Sequence, residues 1–365
     1  MITGNKGEWS EIYTFFKLLA DRELRGGDGN LRHVPNMSLK VVSVLRSLLE
    51  GGYADTGESV IIAYNSKSVA VSVSVLKTLA NDVFRGILKP PEKNGQVFSV
   101  PPADDVLTQI GCPDIKAPSD QKKDIDVVVL DNHIGANQRY GFSIKSYVGS
   151  APSLLNAMGS TMFRFRICGI GREEAEAFNN IHGSTRLKSR VEALRKKGVT
   201  LEFSDVINPM FRRNLIALDD AMPDICMALL KAYWLEGINS VVEATEWVKQ
   251  CNPRHYEDLN LYEIKVKRLL RSVALGLVPT KKWDNRDEAT GGYIVVRRDG
   301  ELVAFYVYNR AQFDDYLFNN TRFERPSWSR FHFFNIYWKS DESYLDMCLG
   351  IRFKEPKHPP ARAKK

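Results

Sequence analysis

The stretch from residue 124 to residue 168 constrains the fold most, because short β-branched and aromatic runs alternate there with turn-forming residues. In order, it predicts strand, turn, strand, helix and strand for the segments DIDVVVLD, NHIGANQ, RYGFSIKSYV, SLLNAMG and TMFRFRICG. Strands with a helix between them need a shared sheet on which that helix can pack. We therefore predict an α/β (α+β) chain built on a mixed sheet flanked by helices.

The flanking sequence supplies further elements for this sheet. An amphipathic helix is predicted over residues 7–20, because Trp9, Ile12 and Phe16 recur at three- and four-residue spacing. Strands are predicted at VIIAY and VAVSVSVL, the second preceding a helix from Leu79 to Ile87, and the proline-containing residues 88–102 are predicted to form a loop. Two charged helices are predicted at 172–180 and 185–197, followed by a strand near VTLEF.

The second half of the chain separates into a helical part and a strand-rich part. Helices are predicted from Val206 to Leu277, including the long EDLNLYEIKVKRLLRSVALGL. Beyond Trp283 a hairpin that turns at Asp299-Gly300 is predicted, followed by strands near FHFFNIYW and LDMCLGIRF. We divide the chain accordingly into a core of residues 1–205, a helical and β region of residues 206–353, and a basic tail of residues 354–365.

Composition excludes several classes of protein. Hydrophobic residues make up 44% of the chain and charged residues 26%, and no apolar run is long enough to span a bilayer. The first residues lack a signal sequence, so we expect a cytoplasmic protein. The five cysteines are scattered without metal-binding spacing, and none of the six histidines lies in a nuclease or metal-binding motif. The net charge of +7 only weakly favours an anionic partner, because the tail contributes much of it.

Two neighbouring predicted strands carry the candidate catalytic residues. Alternation along a strand places Asp124 and Asp126 on one face of DIDVVVLD, and Ser143, Lys145 and Tyr147 on one face of GFSIKSYV. Phosphodiester hydrolysis requires carboxylate ligands for Mg²⁺ and a group that orients or deprotonates the attacking water. An aspartate followed by a (D/E)xK strand provides that set, except that Ser143 stands here in place of the second acid. A solvated edge strand is the alternative interpretation of the two aspartates.

The missing carboxylate has candidates on the first helix. Glu8 and Glu11 are three residues apart and lie within or beside its apolar face. Carboxylates directed toward a core need a partner, and a metal ion would be one. For Glu8 the alternative is an ordinary first-turn glutamate favoured by the helix dipole. Pro113-Asp114 and Pro223-Asp224 also spell the start of the nuclease motif, but they lead into a loop and a helix, so we reject both.

Three long segments of this sequence resemble the HpaII family of restriction endonucleases: GNKGEWSEIY, GFSIKSYVGSAPSLLNA and DYLFNNTRFERPSWSR. The resemblance implies a PD-(D/E)xK restriction-endonuclease-like core in which the SIK form of the motif is normal. It implies that the catalytic residues are Asp124, Lys145, Ser143 and Glu11. The metal ligands would be Asp124 with Glu11 and Glu8, or with Asp126 as an alternative.

The same resemblance implies what the protein acts on. Its substrate would be double-stranded DNA, cut with Mg²⁺ at CCGG or a related GC-rich palindrome by a bacterial or archaeal enzyme. A host methyltransferase would protect that site, and a homodimer would suit its symmetry.

A nuclease of this kind needs arginines that contact phosphates and arginines that recognise base edges. The loop TRFERPSWSR offers candidate DNA contacts at Arg322, Arg325, Ser327 and Arg330, with a surface loop anchored by a tryptophan as the alternative. On TMFRFRICG, Arg164 and Arg166 share one face and could grip phosphates or be ordinary surface cations. Asn319 and Asn320 are better suited to helix capping than to reading adenine.

Two other functions remain open at the level of sequence. A catalytically inactive DNA-binding protein of the same fold would account for Ser143. A structure-specific repair nuclease would share the site and would not depend on duplex sequence.

Overall fold

The computed structural model describes residues 1–54, 57–89, 97–116, 122–131, 135–306, 309–328 and 333–355. The helices are α1 (Lys6–Asp21), α2 (Val73–Leu88), α3 (Pro101–Gln109), α4 (Arg172–Asn179), α5 (Arg186–Lys197), α6 (Pro209–Leu218), α7 (Met222–Trp234), α8 (Val241–Cys251), α9 (Asn260–Leu275) and α10 (Arg310–Asn320). The first strands are β1 (Glu23–Gly27), β2 (His33–Arg46), β3 (Leu49–Tyr53), β4 (Ser59–Tyr64), β5 (Lys67–Ser72), β6 (Ile125–Asp131), β7 (Ala136–Ser146) and β8 (Ser153–Leu155). The later strands are β9 (Met162–Cys168), β10 (Thr200–Val206), β11 (Gly292–Val296), β12 (Leu302–Tyr306), β13 (Thr321–Phe323), β14 (Ile336–Lys339), β15 (Glu342–Cys348) and β16 (Ile351–Phe353).

Nine of the described strands form one mixed sheet in the order β1-β12-β11-β7-β6-β2-β3-β4-β5. β7 lies between β6, to which it is antiparallel, and β11, to which it is parallel. Helices cover this sheet, so the predicted mixed sheet with flanking helices is confirmed. A pairing between distant strands thus places residues from near position 293 beside those near position 143.

The two faces of this sheet bury two different cores, because neighbouring residues of a strand point to opposite sides. On one face, Phe142, Ile144 and Ile294 pack with the apolar side of α1 and with α2. On the other, Tyr293 and Val295 pack with buried residues of α9 and α10. β7 and β11 therefore connect the two hydrophobic cores.

Two smaller sheets complete the fold. One has the order β10-β9-β15-β14 and the other the order β13-β16-β8. Both the nine-stranded sheet and the β10-β9-β15-β14 sheet contain strands from either side of residue 205. The domain division at that residue stays a prediction.

Most predicted elements are confirmed. α1 covers the predicted helix at 7–20, α4 and α5 match the two charged helices, and α6 to α9 occupy the predicted helical part. β11 and β12 form the predicted antiparallel hairpin, whose turn contains Gly300 with a φ of 84°. In the described part of the chain, no helix has the length and apolar character needed to cross a bilayer.

Several boundaries were predicted wrongly. SLLNAMG is not a helix: Leu154 and Leu155 are both buried in β8, whereas Met158 is 39% exposed, and pairing with the distant β16 determines the structure. VAVSVSVL ends as a strand at Ser72, because this side chain accepts a hydrogen bond from Val75 N and starts α2. The loop predicted for 88–102 ends at Pro101, which begins α3; residues 90–96 lie outside the described ones.

The segment LDMCLGIRF forms two strands of different sheets, β15 and β16, instead of one. The break comes at Gly350, where a Cβ atom would lie 2.7 Å from the carbonyl oxygen of Glu324. Only glycine allows that close approach of the backbone. Parts of three other predictions, NHIGANQ, FHFFNIYW and the basic tail, lie outside the described residues at 132–134, 331–332 and 356–365.

Candidate active site

Asp124 lies immediately before β6 and is fixed to β7. Its backbone N–H donates to Phe142 O at 2.9 Å. Its carboxylate oxygen Oδ2 accepts hydrogen bonds from Ile144 N at 2.6 Å and from Ser143 Oγ at 3.1 Å. Within the described residues no hydrogen bond reaches Oδ1. One oxygen of Asp124 is therefore held in place while the other remains available to a ligand.

Ser143 occupies the position where a second acid stands in the (D/E)xK pattern. It is buried, with 3% of its surface exposed, and its hydroxyl donates to Asp124. A serine here orients the aspartate and adds no negative charge to the site. The departure from the usual motif thus has a structural consequence: any further carboxylate must come from another element.

Lys145 follows on β7, half-buried, with its ammonium nitrogen 5.2 Å from the centre of the Tyr293 ring. Burial lowers the pKa of Lys145, and the negative charges of Asp124 and Glu11 oppose that shift. β11 brings Tyr293 to this place, directly opposite Ser143. Asp124, Ser143 and Lys145 are therefore brought together by adjacent strands, as predicted from the sequence.

Glu11 projects from α1, and its side chain is 14% exposed. Its Oε2 atom accepts hydrogen bonds from Arg46 Nε at 2.9 Å and Arg46 Nη2 at 2.6 Å. Burial raises the pKa of Glu11 to about 7; the charge of Arg46 opposes the rise, whereas those of Asp124 and Glu8 add to it. The carboxyl groups of Glu11 and Asp124 are thus close enough to repel each other.

The two other predicted metal ligands have protein partners. Glu8 forms a capping box at the start of α1: its Oε2 accepts from Asn5 N at 2.7 Å, and Asn5 Oδ1 accepts from Glu8 N at 3.0 Å. Asp126 forms salt bridges to Lys123 at 3.2 Å and Arg139 at 2.5 Å. Neither is hydrogen-bonded to Asp124, and in the described ranges no three acidic, histidine or cysteine side chains cluster in a metal-binding arrangement.

A cleft of about 350 Å³ lies beside these residues. α1 lines one side with Lys6 and Glu11, and β7 contributes Lys145. The loop from residue 149 to residue 152 lines it with small residues, and Arg352 of β16 completes the lining. Lys145 and Glu11 therefore lie in the wall of one cleft.

Sequence reasoning missed several residues of this site. Arg46 comes from the end of β2 and pairs with Glu11, and its position gave no sequence signal. Lys122 is half-buried, and burial together with the charge of Lys145 lowers its pKa to about 8, whereas the charges of Glu288 and Asp124 oppose that shift. The basic pair before DIDVVVLD was the one available sign of it.

The rejected proline-aspartate pairs lie where they were predicted. Asp114 is in a loop, where its side chain accepts from Lys116 N at 2.9 Å. Asp224 is in the first turn of α7 and forms a salt bridge with Arg254.

The arginines of β9 lie on the exposed face of the β10-β9-β15-β14 sheet, and both are paired with acids. Arg164 contacts Asp346 at 3.2 Å, and Arg166 contacts Glu202 at 2.5 Å and Glu342 at 3.1 Å. These carboxylates offset much of the positive charge that phosphate contacts would require.

The arginines of the later segment have a different environment. Arg322 lies on β13, and Arg325 is exposed in the irregular stretch that follows, together with the exposed Ser327. Within the described part of the chain, no salt bridge joins Arg322 or Arg325 to a carboxylate. Trp328 anchors this stretch by stacking on Phe333 with ring centres 4.5 Å apart. Arg330 lies outside the described residues.

Asn320 ends α10, and its side-chain amide donates to Tyr316 O at 2.9 Å and Gly29 O at 2.8 Å. The predicted structural role of Asn320 is consistent with these bonds.

Comparison with known proteins places the chain in a family. It matches the profile of the HpaII restriction endonuclease family over residues 5–353. It is 35% identical over 358 residues to the type II restriction enzyme HpaII of Haemophilus parainfluenzae, a match that covers 96% of this chain and 98% of that protein. No solved structure matches the chain.

This extent of similarity defines a type II restriction endonuclease, a site-specific deoxyribonuclease that binds DNA. The chain belongs to the HpaII restriction endonuclease family. The family resemblance predicted from three sequence segments is confirmed.

Proposed function

We propose that this enzyme cuts double-stranded DNA with a Mg²⁺-dependent site of the PD-(D/E)xK type, formed by Asp124, Lys145 and Glu11. The observation that carries the proposal is the position of Asp124 and Lys145 on adjacent strands, with the aspartate held through Ser143 and Ile144 N. The sheet of β6, β7 and their neighbours would then be the PD-(D/E)xK core.

The donors in the site fit a hard divalent cation. Asp124 and Glu11 each use one oxygen for protein hydrogen bonds, and both carboxylates prefer cations such as Mg²⁺. Burial is the main cause of the raised pKa of Glu11, and the nearby charge of Asp124 adds to it, so a cation bound between the two carboxylates would favour the ionised form. Mg²⁺ bound there would stabilise the charge that develops on the phosphate during hydrolysis. Glu8 and Asp126 are the weaker candidates for ligands, because both have protein partners.

Lys145 is the group that we expect to orient or deprotonate the attacking water. A lysine acts as a base only when it can lose its proton near neutral pH, and burial shifts Lys145 in that direction. The charges of Asp124 and Glu11 limit this shift of the Lys145 pKa. Tyr293 excludes water from one side of it.

For the recognition sequence we propose CCGG or a related GC-rich palindrome. The support is the family membership and the pair Arg322 and Arg325, since arginine most often reads guanine through two hydrogen bonds. A palindrome is read most simply by a homodimer with twofold symmetry. A methyltransferase of the bacterial or archaeal host would protect its DNA in the same cytoplasm.

Digestion of unmethylated plasmid with Mg²⁺, followed by mapping of the ends, tests the proposal. We expect discrete fragments with a common end sequence, and no cleavage when EDTA replaces the metal. A smear would point to a nonspecific or structure-specific nuclease. Intact plasmid with retarded migration would indicate an inactive DNA-binding protein and would overturn the proposed chemistry.

Two matched variants locate the chemistry within the protein. We expect Asp124→Ala and Lys145→Ala to abolish cleavage while cognate binding stays within about tenfold of wild type, because both act in the chemical step. Asp126→Ala is the control on the same strand, and its effect should be milder. Loss of cleavage in Asp126→Ala but not in Asp124→Ala would move the catalytic carboxylate two residues along β6.

A further inference from the structure

The cleft beside Lys145 is rich in positive charge. Four charged residues line it among the described ones: Lys6, Lys145 and Arg352 are basic, and Glu11 is the acid. The remaining lining is small and polar or apolar, including Ser150 and Ser153. Such a lining suits an anion larger than a single carboxylate.

A row of side chains connects this cleft to the segment proposed to read bases. In the β13-β16-β8 sheet, Arg322 is directly opposite Arg352, and Arg352 is in register with Ser153. Residues directly opposite each other share a face of the sheet. Strands are about 4.8 Å apart, so the row extends roughly 10 Å from Arg322 to the wall of the cleft.

The charge and hydrogen-bonding capacity of Arg352 are only partly compensated within the described residues. Two like charges directly opposite each other on a sheet repel. Glu324 offsets one of them: its Oε1 lies 3.0 Å from Arg352 Nη1, and its Oε2 accepts from Ser153 Oγ at 3.2 Å. Arg352 Nε is shielded from water and has no hydrogen-bond partner within the described residues. A buried donor without an acceptor is costly, so the protein satisfies this guanidinium incompletely. The side chain is 25% exposed and lines the cleft, where an anion would add an acceptor for its accessible part.

We propose that this cleft binds a backbone phosphate of the DNA strand that is cut, with Arg352 as its main cation and Lys6 as a second one. The proposal rests on the proposed function, because the cleft adjoins the catalytic residues. Arg352 would then position the cleaved strand. It lies in the same row of residues as Arg322, which is proposed to read bases. Lys6 extends over the loop at Gly149, where a Cβ atom would lie 3.9 Å from its Nζ.

Neutral methylphosphonate groups, placed one at a time near the cut, test this pairing. Binding is measured in EDTA, so that the duplex with the mapped site stays intact. We expect one position to weaken wild-type binding about tenfold, the effect of losing a charge-assisted hydrogen bond. In Arg352→Gln, binding to the unmodified duplex should fall about tenfold, and that position should then have no further effect. For this variant, the slope of the logarithm of the binding constant against the logarithm of the salt concentration should become shallower by about one unit.

The matched control is Arg254→Gln, which removes an exposed, acid-paired arginine of the helical region and should leave every methylphosphonate effect unchanged. If all methylphosphonate effects persist in folded Arg352→Gln, Arg352 binds no phosphate and the proposal is wrong. Should Arg352→Gln fail to fold, Arg352→Lys takes its place. Lysine cannot form the two parallel hydrogen bonds that arginine makes to a phosphate. The loss of binding caused by the methylphosphonate at that one position must therefore be smaller in Arg352→Lys than in wild type. A wild-type enzyme that cleaves but lacks such a position overturns the phosphate site alone, whereas a wild type that cleaves no DNA overturns the proposed function.

Discussion

At the scale of single residues, Glu11 is a carboxyl group whose pKa lies near neutrality. Burial raises its pKa from the ordinary value of 4.5 to about 7. The charges of Asp124 and Glu8 add to the rise, whereas the salt bridge to Arg46 opposes it. A carboxylic acid must lose its proton before it can bind a metal ion. Below pH 7 a proton therefore competes with Mg²⁺ for this side chain.

We predict that cleavage at limiting Mg²⁺ decreases as the pH falls through about 7, approaching roughly tenfold per pH unit. The sign follows from the raised pKa: the deprotonated form, which binds metal, predominates only above it. Arg46→Met removes the strongest influence that lowers this pKa, so its midpoint should move to higher pH. The measurement is the single-turnover rate against pH at a fixed low Mg²⁺ concentration. A wild-type profile that is flat between about pH 5.5 and 8.5 would contradict a ligand role for Glu11.

Much of the catalytic set was predictable from the sequence, because alternation along two adjacent strands is enough to bring Asp124 near Lys145. The partners Arg46 and Tyr293 were not predictable. They come from β2 and β11, and only the order of strands in the sheet places them here. The roles of Glu11 and Lys145 in the reaction stay predictions.

At the scale of elements, the start of α1 separates its two glutamates. Glu8 closes the capping box with Asn5, whereas Glu11, one turn later, faces Arg46 and the cleft. The helix needs an oxygen acceptor at position 8, but it does not need a negative charge there.

We predict that Glu8→Gln keeps both folding and cleavage, since glutamine can accept the same hydrogen bond from Asn5 N. Glu8→Ala should lower the free energy of unfolding by roughly 1 kcal/mol, because the capping bond is lost. Glu11→Gln should instead lose most Mg²⁺-dependent cleavage. Denaturant unfolding and cleavage rates of the three variants provide the comparison. Loss of cleavage in a stably folded Glu8→Gln would show that Glu8 is a metal ligand after all.

Elements with a strong repeating pattern were predicted well, and short ones were not. The helices from α4 to α9 combine apolar periodicity with sufficient length. β8 has only three residues, and the same leucines would fit a helix; its partner β16 lies about two hundred positions later in the sequence. Local sequence cannot decide such a case, because the deciding hydrogen bonds are made with a distant strand.

At the scale of the whole molecule, the exposed surface carries arginines in two distinct states. Arg164 and Arg166 are paired with acids, whereas Arg322 and Arg325 have no carboxylate within salt-bridge distance among the described residues. A charge without a counterion inside the protein is the one more available to DNA.

We predict that Arg322→Ala or Arg325→Ala lowers affinity for the cognate duplex by roughly 1–3 kcal/mol and leaves affinity for a scrambled duplex nearly unchanged. Such a result identifies a base-reading arginine, whereas a phosphate contact would weaken both. Arg166→Ala serves as the control and should change neither affinity much. The measurement is the ratio of the two affinities at several salt concentrations. If neither variant changes this ratio by about threefold, base reading lies in another part of the chain.

The arrangement of the sheets was the least predictable feature. The hairpin of β11 and β12 was recognised from its sequence, but nothing local indicates that β11 lies parallel to β7 or that β9 joins β15. Pairings of this kind depend on how side chains pack in the two hydrophobic cores, so they cannot be predicted from a short segment of the chain.

The place of β11 beside β7 also determines when the enzyme becomes dangerous to the cell that makes it. During synthesis, Asp124 and Lys145 leave the ribosome long before Tyr293, whose ring lies against Lys145. A growing chain therefore carries its proposed catalytic residues in an unfinished sheet, with one neighbour of β7 still missing. We therefore expect cleavage activity to arise only when translation is nearly complete.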